Sequence, residues 1–448
     1  MMKKAKAGGI IMKKITITIT AALMLLALVG CSFAETPLDA LVKRASDGNP
    51  LIMAARERVN RARAELDEAR AGMGPKGGVA LGALVGGDEF SVAAPAVLAQ
   101  LGITSLQIGS RNTYAAAVGF MQTIYAGGSL TAMKQAKSLA LDAARAEEAR
   151  TEQSVTNAVR VAYFNRKRAE EKQSVAEEAV TLTKNHLARA EKLFNSGVVA
   201  KGDVLRSKVA VAESELDLIR AKNAAELSLT ALERAVGSPV SPDEIKGGVP
   251  RRSVTLRNVE PAGPDPLEAA YENRQELKMY SLLSRQAEKV AKAAAGQSLP
   301  QIVAGAAYFN ADDSFFPSGE DNWKVGIAAY WSVFDSGRVK AKTNQAKAQA
   351  RELLHRLDDM KNAVRMEVVQ AQQNLRSAQS RLEVAERQAA VSEEDYRIAK
   401  RRYEEQVGTN LDMLDARLAL TNSRTELVDA LYDIETARAN LAFAVGKD

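Results

Sequence analysis

Few residues of this sequence are of the types that catalyse reactions or bind metals. The 448 residues include two histidines and one cysteine, and His186 and His355 lack the spacing of metal ligands. Both histidines are interpreted as solvated helix residues. The carboxylates lie on charged helical faces, and no phosphate-binding glycine loop stands between a strand and a helix. The sequence therefore predicts no enzymatic activity, no metal and no cofactor.

Two aspartates, Asp412 and Asp415, stand three residues apart at the end of a predicted turn. One interpretation is helix capping, with Asp412 as the N-cap and Asp415 favoured by the helix dipole. On these residues alone, capping is the favoured interpretation.

The segments that position these aspartates occur twice in the chain. From Gly128 to Gly237 is 109 residues, and from Gly337 to Gly446 is again 109 residues, so an offset of 209 relates the two halves. A segment that keeps its length so strictly must have that length set by geometry. The duplication predicts two structural repeats, residues 35–237 and 266–448, joined by a proline-rich linker at 238–265.

The N-terminal 34 residues have the composition of a secretory signal peptide. Five lysines and no acidic residue accompany an apolar run from Ile15 to Val29, so the remaining chain carries only +1 of the total charge of +6. That balance argues against a nucleic-acid partner. Two cleavage sites compete, one that would make Cys31 a lipidated N-terminus and one after Ala34. The short tether after Cys31 favours Ala34.

Each repeat contains a pair of short apolar segments with strand character. The predicted hairpins are 77–125 and 301–334, and in the second one the residues from Val325 to Val333 alternate between two faces. Each strand is near the ~9–11 residues that a tilted strand needs to cross a bilayer. Aromatic residues cluster in the second hairpin, as in the girdles of membrane barrels. The first hairpin is longer, with its extra residues around Asp88 to Asn112, which predicts an extracellular loop.

Long helices follow each hairpin and turn back sharply. The predicted segments are a long helix, a tip and a return helix in each repeat, at 129–192, 194–203 and 204–236, and at 338–401, 403–412 and 413–445. Residues Val368 to Tyr403 keep a heptad pattern that predicts a coiled-coil seam. Each return helix is about half as long as its partner. End-to-end stacking with the helix before the hairpin would supply the missing length.

The four predicted strands cannot close into a barrel by themselves. An open strand edge in a bilayer leaves backbone groups unsatisfied at several kcal/mol each, so other chains must complete the sheet. The fold class is therefore mainly α with membrane β. Two chains would reach the ~8 strands of the smallest known barrels, and three would give 12.

The order and spacing of these elements resemble the TolC family of outer-membrane efflux channels. The resemblance is carried by the glycine pair Gly127-Gly128 after the second strand, the segment Phe194 to Asp203, and Tyr403 followed by Asp412 to Ala416. It covers essentially the whole chain after the signal peptide. It implies a homotrimer with a 12-stranded β-barrel in the Gram-negative outer membrane, continued by a 12-column α-helical coiled-coil barrel through the periplasm.

The resemblance also implies partners and roles for named residues. A periplasmic adaptor protein and an inner-membrane pump or ABC transporter would supply substrate and energy. Asp412 and Asp415 would narrow the entrance, where three copies of each would form a ring of carboxylates that favours cations; with the resemblance, this role and capping both stay open. A hydrogen bond between Asp203 and Tyr403 would help to close the entrance. Gly408 stands where the family has the arginine of a second closing contact, so that contact is lost. The turns would dock the adaptor through Phe194, Gly197, Val198, Gln406 and Gly408.

Gln406 stands at the position that corresponds to Gly197, where a left-handed conformation suits glycine. The geometry of the second turn is therefore open. The function predicted is a passive exit duct for small molecules and drugs, with type I protein secretion as the alternative. A soluble periplasmic coiled-coil adaptor is the third option, and it predicts one helical hairpin and a compact β-domain.

Overall fold

The structure is a computed structural model that describes residues 36–85, 90–94, 99, 105–108, 112–245, 265–312 and 322–447. The signal peptide, Cys31, Ala34 and most of the linker lie outside the described residues, as does the greater part of the predicted extracellular loop. The elements of the first repeat are α1 Pro37–Gly48, α2 Pro50–Ala71, β1 Lys76–Val85, β2 Phe90–Ala93, β3 Ser105–Ile108, β4 Asn112–Ala126, α3 Ser129–Asn195 and α4 Lys201–Val236.

The second repeat follows the same order. Its elements are α5 Pro266–Asn273, α6 Gln275–Gly296, β5 Gln301–Asp312, β6 Asn322–Tyr330, α7 Arg338–Glu404 and α8 Asn410–Val445. The chain thus has two helical hairpins, α3–α4 and α7–α8, each preceded by a pair of membrane-length strands. None of the described helices is both long enough and apolar enough to span a membrane.

The two long helices, α3 and α7, are the largest elements. Each has 67 residues, which corresponds to about 100 Å at 1.5 Å per residue. Alanine and long straight side chains, which favour helix, fill both sequences. Each helix extends three residues further than its predicted end, and α4 and α8 begin three residues earlier than predicted, at Lys201 and Asn410. The tips are therefore tighter than the sequence indicated.

The shorter helices stack end to end, as their lengths predicted. At the first junction, the Asn49 side chain donates a 2.8 Å hydrogen bond to the Ala235 carbonyl at the end of α4. A Cβ on Gly237 would come within 2.8 Å of the Pro50 ring. At the second junction, a Cβ on Gly446 would lie 3.1 Å from Asn273. Both glycines adopt the left-handed conformation. Each return helix ends against the start of the helix on which it stacks, which is α2 for α4 and α6 for α8.

The heptad seam predicted on α7 is confirmed. Its buried residues repeat at intervals of three and four from Val368 onward, and α8 covers them with Ala430, Ile434 and Ala437. A larger core lies at mid-height, where Ile52, Val159 and Leu232 are fully buried and Ile245 of the linker completes the cluster. Lys167 donates to the Ile245 carbonyl and so anchors the linker to α3.

The main sheet is antiparallel in the order β1-β4-β5-β6. The register places Val79, Val118, Tyr308 and Trp323 side by side on one face. That face carries most of the large apolar residues, and the other carries mainly glycine, alanine and polar residues, with Met121, Val303, Phe309 and Tyr330 as exceptions. Such a division between an apolar and a small or polar face is typical of membrane strands. Within the described residues, β1 and β6 each have one unpaired edge.

Two details of the sheet differ from the prediction. First, β6 ends at Tyr330, although the apolar alternation continues to Phe334. The chain leaves the sheet because the Trp331 indole donates to the Ser298 carbonyl, and the Asp335 carboxylate caps α7 by accepting from the N–H groups of Gly337 and Val339. Second, the long first hairpin contains a separate pair of short strands, β2 and β3.

Candidate functional site

The two tips, at which α3 and α7 reverse, share one backbone geometry. At the first tip the Val198 N–H donates to the Leu193 carbonyl, and at the second the Val407 N–H donates to the Arg402 carbonyl, both at 2.9 Å. These residues correspond under the offset of 209. This pattern is the six-residue hydrogen bond of a Schellman motif, which satisfies the last carbonyls of a helix.

Gln406 adopts the left-handed conformation that the sequence made doubtful. Its φ is 63°, against 75° for Gly197 at the first tip. A non-glycine residue pays about 1–2 kcal/mol for this conformation, so the rest of the turn must compensate. Gly408 contributes, because its N–H donates to the Arg402 carbonyl and a Cβ there would lie 3.0 Å from the Arg402 Cβ. The second turn therefore has the same shape as the first.

A capping box starts the helix after the second tip. Thr409 is the N-cap, its hydroxyl accepts from the Asp412 N–H at 3.1 Å, and the Asp412 carboxylate accepts from the Thr409 N–H at 3.2 Å. Hydrogen bonds to Thr409 lower the pKa of Asp412, with a smaller contribution from the charge of Arg402. The prediction that Asp412 is the N-cap is therefore wrong. The N-cap is Thr409, and Asp412 is the third residue of the helix. The first tip has Ala200 at the corresponding position, without a side-chain cap.

Asp412 and Asp415 line the same groove beside the second tip. Side chains of α7 and α8 form it, among them Asp395 and Arg402. Both aspartates are exposed, so the capping of Thr409 leaves the charge of Asp412 open to solvent. Capping and a contribution to an acidic surface are therefore compatible in this geometry. The role of both residues at an entrance stays a prediction.

The hydrogen bond expected between Asp203 and Tyr403 is not made within the chain. The Tyr403 hydroxyl is buried and has no hydrogen-bond partner among the described residues. Burial, and then the charge of nearby Asp203, raise the pKa of Tyr403. Asp203 instead takes part through its main-chain carbonyl, which accepts from the Asn410 side chain at 3.2 Å. The role of the Asp203 and Tyr403 pair in closure remains a prediction.

His186 was wrongly interpreted as solvated. It is only 5% exposed and its Nε2 lies 2.6 Å from the Asn410 Oδ1, while its ring centre is 4.9 Å from that of Tyr403. The Ser207 hydroxyl donates to the Asp203 carbonyl and lies 3.4 Å from the Asn410 oxygen. We call His186, Asp203, Ser207, Tyr403 and Asn410 the tip junction. It joins all four long and return helices.

The sequence contained only a weak signal for the tip junction. Asn410 directly follows Thr409 at the predicted second tip, and a polar residue there is ordinarily a solvated turn residue. His355, the other histidine, is exposed on α7 as predicted. Among the described residues, no group of three side chains is arranged to hold a metal.

Both tips expose apolar side chains among polar ones. Phe194 and Val198 project from the first tip, and Val407 and Leu411 from the second, each at least 40% exposed. Single exposed apolar residues are common on proteins. Four of them on two adjoining turns form a surface suited to binding another protein.

The fold and the tips define a class of protein, the outer-membrane channel with a long helical tunnel. The family model described as "Outer membrane efflux protein" matches residues 41–238 and 267–447. The chain therefore belongs to the outer membrane efflux protein family. Members of this family are passive channels, so the chain is not an enzyme. Its place is the Gram-negative outer membrane, with the helical tunnel in the periplasm.

Solved structures share this fold at low sequence identity. The outer membrane protein VceC from Vibrio cholerae is 21% identical, with a TM-score of 0.74 over 92% of this chain and 96% of that chain. The CmeC outer membrane channel of Campylobacter jejuni is 18% identical, with a TM-score of 0.77 over 92% and 86%. The open state of the MtrE outer membrane channel of Neisseria gonorrhoeae is 18% identical, with a TM-score of 0.76 over 92% and 89%. Among curated proteins, none matches the chain.

Proposed function

We propose that three copies of this chain form the exit duct of a tripartite export system for small molecules. The observation that carries the proposal is the four-stranded sheet, which has a mainly apolar face and, within the described strands, one unpaired edge along β1 and one along β6. Backbone groups at such edges cost several kcal/mol each in a bilayer. Neighbouring copies would satisfy them, β6 of one chain pairing with β1 of the next, and 12 strands would close.

The helical part supports the same assembly. Both hairpins expose apolar side chains along their length, for example Leu205, Val209 and Leu227 on α4 and Val384 and Val391 on α7. These positions lie outside the seams buried within the chain. In a ring of three copies they would be covered by the neighbouring chain, as the a and d positions of coiled coils are.

The apolar tips are the surface on which a periplasmic adaptor would dock. An inner-membrane pump or ABC transporter would supply energy, since the channel has no site for chemistry among the described residues.

We expect Val198→Asp and Val407→Asp to abolish export while conductance of the purified channel is retained. Loss of conductance in both variants would show that the tips serve assembly instead. Leu227→Asp, which lies far from the tips, would serve as a comparison for a change in the helical wall.

The substrate class is tested by deleting the gene and measuring drug susceptibility together with the secreted proteins. A duct for small molecules predicts increased susceptibility, by fourfold or more, with secreted proteins unchanged. Loss of a secreted protein without a change in susceptibility would instead support type I protein secretion. Complementation with the wild-type gene controls for effects on neighbouring genes.

Asp412 and Asp415 are proposed to form the narrowest and most acidic part of the entrance. The test is the double variant Asp412→Asn with Asp415→Asn, in which residue 412 retains an oxygen for the Thr409 N–H but both charges are lost. We expect several-fold lower cation selectivity in planar bilayers and weaker block by multivalent cations. Asp358→Ala with Asp359→Ala removes two exposed charges far along α7 as a matched control. Equal selectivity in all three proteins would leave capping as the only role of Asp412.

A further inference from the structure

The contact between the two helical hairpins changes character along its length. Away from the tips, α3 and α8 are joined by ion pairs, with Arg168 3.0 Å from Asp433, Lys172 2.7 Å from Asp429 and Arg424 2.7 Å from Glu178. These side chains are partly exposed, so each pair contributes only about 0–1 kcal/mol. At the tip end, the contact becomes the buried pair of His186 and Asn410.

The hydrogen-bond directions in this pair follow from its neighbours. The Asp203 carbonyl can only accept, so the Asn410 NH₂ must face it at 3.2 Å. The Asn410 oxygen therefore faces His186, and since that oxygen can only accept, the His186 Nε2 must carry the proton at the 2.6 Å contact. The neutral imidazole is then protonated at Nε2 and unprotonated at Nδ1.

Protonation of Nδ1 leaves the Nε2–H that donates to Asn410 in place, but it puts a positive charge on a side chain that is only 5% exposed. The cost of burying this charge, not the loss of the hydrogen bond, disfavours the closed tip. The charged and titratable groups that face the ring or its immediate neighbours come from all four helices. They are Arg189 on α3, Asp203 on α4, Tyr403 on α7 and Arg417 on α8. Arg417 is itself buried, near Glu213 and Asp217 of α4 and Tyr396 of α7. Glu213 and Asp217 act on Arg417, and Asp203 acts on Tyr403, whereas the charge that acts on the imidazole is that of Arg417. A positive charge on His186 would therefore be poorly compensated.

We propose that the contact of His186 with Asn410 is a proton-sensitive latch, which holds the second tip against the first at neutral pH and releases it when the periplasm becomes acidic. This inference rests on the proposed channel function, because release at the tips would open the entrance. The ion pairs further along the seam contain no histidine and would act as the hinge. Opening is thereby confined to the last turns of the helices.

The direction of the pH effect follows from the environment of the ring. Burial lowers the pKa of His186, and this outweighs the raising effect of the Asn410 hydrogen bond, while the charge of Arg417 lowers it further. The closed tip therefore binds fewer protons than the released tip, in which histidine has its ordinary pKa of about 6.5. The latch is complete above about pH 6.5 and weakens as the pH falls toward the pKa of the buried ring. At pH 5.5 the ratio of released to closed tips would rise by up to about tenfold per chain.

The experiment is single-channel recording of the full-length protein in planar bilayers at pH 7.5 and pH 5.5. The wild-type channel should open severalfold more often at pH 5.5. His186→Gln, which can still donate to Asn410 but does not titrate in this range, should stay closed at both pH values. His355→Gln is the matched control, because it removes the only other histidine, and it should behave as the wild type does. A wild-type pH response in His186→Gln would overturn the proposal.

A second measurement separates failure of the latch from failure of the channel function. Hydrogen exchange of residues 186–195 and 410–417, corrected for the effect of pH on intrinsic exchange, should show lost protection at pH 5.5 in the wild type but not in His186→Gln. The same data at pH 7.5 show whether the variant is folded. If these changes occur in a protein that conducts at neither pH, the latch proposal is supported and the proposed channel function is wrong. If the protein conducts and neither readout depends on His186, the latch is wrong.

Discussion

The two tips reach one backbone geometry with different residues. At the first tip, Gly197 takes the left-handed conformation without a Cβ, and the next helix begins at Ala200 without a side-chain cap. At the second tip, Gln406 takes that conformation at a cost, and Thr409 with Asp412 caps the next helix. The comparison shows that the paired helices dictate the shape of each turn, while the local sequence decides how much the turn itself contributes to stability.

The largest effect is expected where the two tips meet. Asn410→Ala removes the acceptor of His186 and one donor to the Asp203 carbonyl. The buried Nε2–H of His186 is left unsatisfied, whereas the carbonyl keeps the Ser207 hydroxyl. We expect a loss of about 2–3 kcal/mol in the local stability of both tips, measured by hydrogen exchange at neutral pH. Asn440→Ala, an exposed position on the same helix, should change little. If only the second tip lost protection, the two turns would be independent.

The next effect concerns the left-handed residue at each turn. Gly197→Ala should destabilise the first tip by about 1–2 kcal/mol, although its Cβ would meet no atom within 4 Å. Gln406→Gly should do the opposite at the second tip and stabilise it by about 0.5–1 kcal/mol. Chemical denaturation or hydrogen exchange of each tip measures both changes. Destabilisation by Gln406→Gly would mean that the Gln406 side chain makes a stabilising contact in the trimer.

The smallest effect concerns helix capping. Ala200 already has the extended backbone of an N-cap, with φ −76° and ψ 153° against −88° and 158° for Thr409, and Asp203 stands where Asp412 completes the second box. Ala200→Thr should therefore build the missing capping box and add about 0.5–1 kcal/mol, whereas Thr409→Ala should remove about 1 kcal/mol. Protection of the first helical turns in α4 and α8 reports each change. No gain from Ala200→Thr would show that the Asp203 side chain is held by another contact.

Much of the fold followed from the sequence because length and periodicity are local properties. The repeat offset and the heptad pattern predicted the long helices, the return helices and the seam from Val368 onward. The end of β6 could not be predicted in this way. The alternation continues past Tyr330, and the chain leaves the sheet through the tertiary contact of Trp331 with Ser298 and the capping of α7 by Asp335.

The tip junction could not be predicted either, because it too depends on tertiary contacts. His186 and Asn410 are 224 residues apart, and each has the sequence context of an exposed polar residue. Their burial depends on how four helices converge, which neither local pattern contains. Gln406 is the reverse case, since its local preference opposed the left-handed conformation that the turn imposes. The aspartates Asp412 and Asp415 were placed correctly beside the second turn, but the capping partner Thr409 was overlooked.

In the proposed assembly, three chains share one passage. Single-particle imaging of the full-length protein in lipid nanodiscs tests it most directly. We expect three copies around a continuous central channel, with 12 strands in the membrane and β6 of each chain paired with β1 of the next. A monomer, or an assembly in which the strands leave no shared passage, would contradict it.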